Sequence, residues 1–208
     1  MASSLIHMAV ANEINMKLKR DSSCLLIGSI APDISKLVGE TKKRSHFLTD
    51  DTDIPNIELF LKKYRNKMND VFVLGYYIHL YTDYLWYKYF TPEIYHGNLI
   101  KKLNGDIVKC SGRMITMYIY NDYTNLNMQL IDKYSLDLKI FYNEIPKMEN
   151  IIKEIPMHNI KIIIDKTGEI VSNSKNKETM TIDMEKISNF INLSVKLILA
   201  NLEELGIK

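Results

Sequence analysis

Apolar residues recur along most of the chain at the three- and four-residue spacing of amphipathic helices. Glycine and proline are sparse, with 8 and 5 residues, so the sequence favours long helices over hairpins. The pattern predicts a loop over residues 34–54. It predicts helices over residues 3–18, 22–31, 55–68, 70–90, 92–103, 106–120 and 124–133, and a closing helix whose apolar stripe runs from Ile187 to Leu205.

The helix predicted over residues 70–90 is apolar on nearly every side, and we expect it at the centre of a bundle. The stretch 159–171 is compatible with a strand pair or a helix, and the helix is favoured. Pro32 is expected to turn Ala31 away from helical dihedrals, which would leave Asp33 at the helix end or in the following turn. The sequence therefore predicts one all-α, mainly helical domain over residues 1–208, in which residues 91–208 support residues 1–90.

Net charge, cysteine content and the length of the apolar runs indicate which classes of protein the sequence does not favour. A net charge of +2 is too small to predict a nucleic-acid partner or an acidic membrane. The two cysteines form no CxxC motif, which favours a reducing compartment. No run reaches the roughly 18 apolar residues that span a bilayer, and the first residues lack the pattern of a secretory signal. We expect a cytoplasmic protein without a transmembrane segment, and its oligomeric state stays open.

Two ionisable residues interrupt the most apolar predicted helix. His79 and Asp83 are four residues apart, so on a helix they project from the same face, one turn apart. One interpretation is an internal hydrogen bond that ties neighbouring helices together. The other interpretation is a functional site. The positions of the remaining histidines and aspartates help to distinguish the two interpretations.

Three further polar residues occur in apolar settings. His7 lies inside the first predicted helix, Asp33 follows the second, and His46 precedes an apolar pair. Each residue alone has an ordinary explanation as a core, capping or surface residue. Together with His79 and Asp83 they supply three imidazoles and two carboxylates, a ligand set that suits zinc and similar divalent ions. Facing helices of a bundle can gather such ligands around one cavity.

The order of these residues along the chain resembles that in the bacterial zinc-dependent phospholipase C family. The resemblance rests on His7, on "GSIAPD" with Asp33, on "RSHF" with His46, and on "GYYIHLYTD" with His79 and Asp83. It covers about the first 90 residues. That family is all-α and is related in fold to the single-strand-specific zinc nucleases.

The resemblance implies a metal-dependent hydrolase with one or two divalent ions, zinc being the expected metal. Asp33, His46, His79 and Asp83 would ligate one ion, and Asp83 would bridge to a second ion that His7 also binds. The reaction implied is hydrolysis of a phosphoester by metal-activated water, with Asp33 as the candidate general base. The substrate would be a small phosphoester or a lipid head group.

The chain also departs from the family pattern. The family has a further metal position with an HxxxE pair, whereas His96 and His158 are each followed four residues later by isoleucine. The expectation is therefore one or two ions instead of three. His96 and Asp122 are additional candidate ligands, with surface or capping roles as the alternatives.

Other functions remain open. An HD-type phosphohydrolase requires an adjacent His-Asp pair, and the sequence contains none. A non-catalytic helical protein that retains a structural or degenerate metal site is the main alternative to a hydrolase.

Overall fold

A computed structural model describes residues 1–49 and 52–207 of the chain. These residues are mainly helical, as predicted, although a small antiparallel sheet departs from a purely all-α class. The helices are α1 (Ser4–Leu18), α2 (Ser22–Ile30), α3 (Ile34–Leu37), α4 (Lys42–Ser45), α5 (Ile57–Tyr64), α6 (Val71–Leu85), α7 (Thr91–Ile94), α8 (Gly112–Lys133), α9 (Ile160–Ser172) and α10 (Met184–Glu204). The strands are β1 (Tyr95–His96), β2 (Leu99–Lys101) and β3 (Ile107–Lys109).

Short polar side chains determine where the central helices begin. The Ser3 hydroxyl accepts a hydrogen bond from the backbone N–H of Ile6 at the start of α1. Asp21 caps α2 in the same way, and Asp70 caps α6. Such caps satisfy N–H groups that the first turn of a helix leaves without partners. Twelve of the fifteen residues of α6 are buried, which confirms its predicted place at the centre.

Helices α2 and α6 pack against each other with their backbones in contact. A side-chain carbon added at Gly28 would collide with the carbonyl oxygen of Phe72, and one added at Gly75 would collide with that of Leu25. The close approach therefore depends on two glycines that face each other across the interface. It brings the carbonyl end of α2 within reach of the side chains of α6.

The helix predicted over residues 92–103 is wrong beyond α7. The chain forms a hairpin there, with Tyr95 paired to Ile100 and His96 paired to Leu99. The two connecting residues include Gly97 at a φ of 56°, a backbone angle that suits tight hairpin turns and that helices exclude. β3 then pairs with β2, so the predicted helix over 106–120 begins only at Gly112.

Other boundaries also differ from the prediction. The helices predicted over 106–120 and 124–133 are one helix, α8. The predicted loop contains the short helices α3 and α4, and its residues 50 and 51 lie outside the described part of the chain. Ala31 keeps helical dihedrals because Pro32 occupies the first turn of a new 3₁₀ helix, where its missing N–H costs nothing. The stretch 159–171 is helical, as favoured.

The two halves of the chain share one apolar core. Trp86 and Phe90, in a π-helical turn that follows α6, pack their rings against Phe190 of α10, with centroids 4.9 and 5.1 Å away. This contact anchors the closing helix on the end of α6 that carries Asp83. Across residues 1–49 and 52–207, none of the helices combines the length and the apolar character needed to cross a bilayer.

Candidate metal centre

Five side chains converge where α1, α2 and α6 meet. His7 comes from α1, and His79 and Asp83 come from α6. Asp33 lies in the 3₁₀ turn after α2, and His46 follows α4. His7, His46, His79 and Asp83 are almost completely buried, whereas 13% of the Asp33 side chain is exposed. The structure therefore brings together all five residues that the sequence pattern singled out.

Asp83 lies between the three imidazoles. Its Oδ1 is 3.4 Å from Nε2 of His7 and accepts a hydrogen bond from the backbone N–H of Ala2 at 3.0 Å. Its Oδ2 lies 3.7 Å from Nε2 of His46 and 3.8 Å from Nε2 of His79. The two oxygens of one carboxylate thus face two different groups of nitrogens.

The backbone of α2 defines the protonated nitrogen of His79. Nδ1 of this ring is 2.7 Å from the carbonyl oxygen of Ser29. Because a carbonyl oxygen can only accept, Nδ1 must carry a proton. In the neutral ring, Nε2 therefore presents a lone pair to the centre of the cluster.

A hydroxyl group contacts the ring of His46. The Ser45 hydroxyl lies 2.9 Å from Nδ1 of His46 and 3.4 Å from the carbonyl oxygen of Lys42. The Nε2 atoms of His46 and His79 are 3.2 Å apart in a buried space. In the tautomer whose Nδ1 donates to the Ser45 hydroxyl, His46 also presents an Nε2 lone pair to the centre of the cluster, as metal ligation requires.

The ring of His7 stacks on that of His79, with centroids 3.7 Å apart and an interplanar angle of 13°. Neither nitrogen of His7 has a hydrogen-bond partner among the described residues, and the same holds for Asp83 Oδ2 and Asp33 Oδ1. Asp33 Oδ1 lies 3.6 Å from Nε2 of His46. Buried polar atoms without partners are costly, and His7 Nε2, Asp33 Oδ1 and Asp83 Oδ2 each lie within 4 Å of an ionisable atom of another cluster residue.

The environment of the cluster favours neutral rings at His46 and His79 and ionised carboxylates at Asp33 and Asp83. Burial lowers the pKa of His46 to about 4 and lowers the pKa of His79 well below its usual value. Burial alone would raise the pKa of Asp33, but neighbouring histidines and lysines outweigh it and lower that pKa. His7 and His79 outweigh burial at Asp83, so its pKa is also low. These are the protonation states that metal ligands require.

Two groups of atoms within the described residues could hold a metal ion. The first consists of His7, His79 and Asp83, and the second of Asp33, His46 and His79. Within each group the nitrogen and oxygen atoms lie within 4.8 Å of one another. His79 belongs to both groups, and Asp83 contacts nitrogens from both.

The additional candidates lie elsewhere. His96 is exposed on β1. Asp122 is buried in α8, where it accepts hydrogen bonds from the backbone N–H groups of Met180, Thr181 and Ile182 and from the Thr181 hydroxyl, at 2.6 to 3.0 Å. Asp122 therefore anchors the segment before α10, a role that the local sequence "YNDY" did not indicate. His96 and Asp122 therefore both lie outside the two groups of described residues that could hold a metal ion.

A cavity of about 560 Å³ opens beside the cluster. Its lining includes Lys36, Lys42, Asp53, Tyr87 and Tyr120. Burial raises the pKa of both tyrosine hydroxyls, which keeps them protonated and able to donate hydrogen bonds. Lys36 Nζ lies 3.7 Å from Asp33 Oδ1 at the edge of the cluster. The sequence interpretation missed both lysines, although Lys36 follows Asp33 at helical i+3 spacing and Lys42 precedes His46 by one turn.

Comparison of the chain with known protein families, curated proteins and solved structures finds no match.

Proposed function

We propose that this protein is a metal-dependent phosphoester hydrolase in which His7, Asp33, His46, His79 and Asp83 hold one or two divalent ions. The observation that carries the proposal is the convergence of the His46 and His79 Nε2 atoms, 3.2 Å apart, with the buried oxygens Asp33 Oδ1 and Asp83 Oδ2. Neither oxygen has a hydrogen-bond partner among the described residues, and a cation held between the oxygens and the rings would satisfy both. The resemblance to the zinc-dependent phospholipase C family supports the same interpretation.

The residues fit a divalent ion of the size of zinc. Nitrogens that bind one zinc ion tetrahedrally at about 2.0 Å are roughly 3.3 Å apart, close to the separation observed here. The unpartnered oxygens of Asp33 and Asp83 provide negative charge on the same side of the two rings. Ser29, Ser45 and the N–H of Ala2 orient the ligands from behind, as outer-shell partners do in metal sites.

A bound divalent ion would supply a lowered pKa for bound water and stabilisation of negative charge on a phosphoryl group. The chain itself provides a proton acceptor. Asp33 is the most exposed of the five residues, and its low pKa keeps it ionised. Its Oδ1 has no hydrogen-bond partner within residues 1–49 and 52–207. Asp33 is therefore the proposed general base, while the buried Asp83 positions His7 and His79.

A metal site without catalysis is the second candidate. His7, His79 and Asp83 have no exposed surface, and such deep burial is typical of structural sites. The two functions predict the same metal content but differ in turnover. A metal-loaded protein that hydrolyses neither aryl phosphomonoesters nor aryl phosphodiesters would favour the structural site.

The test begins with metal analysis of untagged protein after dialysis against zinc. We expect one or two zinc ions per chain, at least one fewer in Asp83→Asn, and no change in Lys43→Met, whose side chain is exposed outside the cluster. Hydrolysis of p-nitrophenyl phosphate and bis(p-nitrophenyl) phosphate is then measured with and without a chelator. Absence of metal from the wild-type protein would overturn the proposal.

A further inference from the structure

Two lysines converge at the edge of the candidate metal centre. Lys36 belongs to α3, and Lys42 is the first residue of α4. Both line the 560 Å³ cavity, and they are electrostatic neighbours of each other. Lys36 Nζ also lies 3.7 Å from Asp33 Oδ1. The pair therefore places two ammonium groups in the cavity, and the Lys36 ammonium group also contacts a proposed metal ligand.

The position of the pair is unusual for surface lysines. Only 40% of the Lys36 side chain is exposed, and Lys42 is half-buried. Like charges in proximity repel, and a flexible lysine in an ordinary surface setting can avoid such a neighbour. Asp33 Oδ1 lies 3.7 Å from Lys36 Nζ, but the proposed function assigns its charge to a metal ion. Among the described residues that line the cavity, Asp53 is then the one carboxylate for two ammonium groups.

The charge balance of the cavity indicates what would supply that countercharge. Asp33 and Asp83 together neutralise one divalent ion, so a singly loaded centre has little net charge. Lys36 and Lys42 carry the positive side-chain charges among the described residues that line this cavity. Asp53 lines the same cavity near Tyr87 and Tyr95 and disfavours anions in its vicinity. An anionic ligand is therefore directed to the lysine end of the cavity, beside Asp33.

We propose that Lys36 and Lys42 bind the non-bridging oxygens of the substrate phosphoryl group and select dianionic terminal phosphates over phosphodiesters. This inference rests on the proposed function and adds to it a substrate class and two binding residues. A terminal phosphate carries up to two negative charges and three free oxygens, whereas a diester carries one charge and two free oxygens. Two ammonium donors match the terminal group better.

The test measures binding of inorganic phosphate to the zinc-loaded protein by titration calorimetry. Lys36→Met and Lys42→Met retain the length of the side chain and remove the charge. We expect each to weaken phosphate binding by roughly tenfold, the loss of one charge-assisted contact, with zinc content unchanged. Lys43→Met is the matched control, because Lys43 lies on the same short helix but lines a different cavity. Its phosphate affinity should stay within about twofold of the wild type.

Substrate selectivity provides a second readout. The ratio of kcat/KM for p-nitrophenyl phosphate to that for bis(p-nitrophenyl) phosphate should fall in Lys36→Met and Lys42→Met and recover in Lys36→Arg. Unchanged phosphate affinity in both methionine variants, with zinc bound, would overturn this inference and leave the proposed function intact. A wild-type protein that binds no zinc would overturn both.

Discussion

The Nε2 atoms of His46 and His79 lie 3.2 Å apart, and the Nδ1 atom of each ring is already hydrogen-bonded to a neighbouring serine. The separation also suits two nitrogens that bind one zinc ion tetrahedrally, which lie roughly 3.3 Å apart at about 2.0 Å from the metal. The two residues are 33 positions apart in the chain. The packing of α4 against the 3₁₀ turn that carries Asp33, together with the hydrogen bond from the Tyr76 hydroxyl of α6 to the Ser45 carbonyl, brings them together. This arrangement motivates the first prediction.

Zinc should stabilise the native protein. A ligand at one hundred times its Kd adds about 2.7 kcal/mol to the free energy of unfolding, which corresponds to roughly 5–10 °C in Tm for a chain of this length. Thermal unfolding with zinc and with a chelator measures the shift. Asp83→Asn keeps the shape of the side chain but removes the bridging charge, so the shift should largely disappear. An equal shift in this variant would argue against Asp83 as a ligand.

Gly75→Ala should destabilise the protein by about 2 kcal/mol or more, because the added methyl group collides with the backbone of α2 at Leu25. Separation of the helices would also move the Ser29 carbonyl away from His79, so zinc affinity should fall as well. Urea unfolding and zinc titration measure the two effects.

Gly112→Ala is the control for this variant. Gly112 opens α8, and a side-chain carbon there meets no atom within 4 Å. Alanine at that position should leave the free energy of unfolding unchanged or raise it slightly. A similar loss of stability in both variants would contradict the role assigned to the contact between Gly28 and Gly75.

The metal-free protein should lose stability as the pH falls from 6.5 towards 4. Burial holds the pKa of His46 at about 4 in the native state, against about 6.5 in the unfolded chain. In this window the unfolded chain binds more protons, so stability rises with pH and is fully present above pH 6.5. His46 alone should account for about 2–3 kcal/mol between pH 7 and pH 4.5. His79 acts in the same direction because its pKa is also lowered.

Urea unfolding in the presence of a chelator measures this dependence. His46→Gln removes the titrating group and should flatten the profile between pH 6.5 and pH 4.5. An unchanged slope in this variant would show that other groups cause the loss. The depressed pKa values of Asp33 and Asp83 add a further loss only below about pH 4, as these carboxylates become protonated.

Asp122→Ala should separate fold stability from metal binding. Removal of this carboxylate leaves the N–H groups of Met180, Thr181 and Ile182 without their acceptor, at an expected cost of about 3 kcal/mol. Zinc stoichiometry should stay the same, because Asp122 lies outside both groups that could hold a metal. A lower stoichiometry in folded Asp122→Ala protein would restore Asp122 as a candidate ligand.

Local signals were sufficient for most of the helices. The central helix α6 follows from a long apolar run and the closing helix α10 from apolar periodicity, since both signals depend only on neighbours in the chain. The hairpin at Gly97 was missed because a two-residue turn inside a short apolar stretch has little periodicity to distinguish strand from helix. The continuity of α8 through Asp122 was missed because its carboxylate is satisfied by residues almost sixty positions away.

The sequence by itself determined the five candidate ligands, because ionisable residues in apolar segments stand out from the pattern without any knowledge of the fold. Tertiary structure alone decided which of their atoms face one another, that Nδ1 of His79 carries a proton, and that Lys36 and Lys42 line one cavity near Asp33. These properties depend on distances between distant segments and on exclusion of water. Neither is encoded in the spacing of residues along the chain.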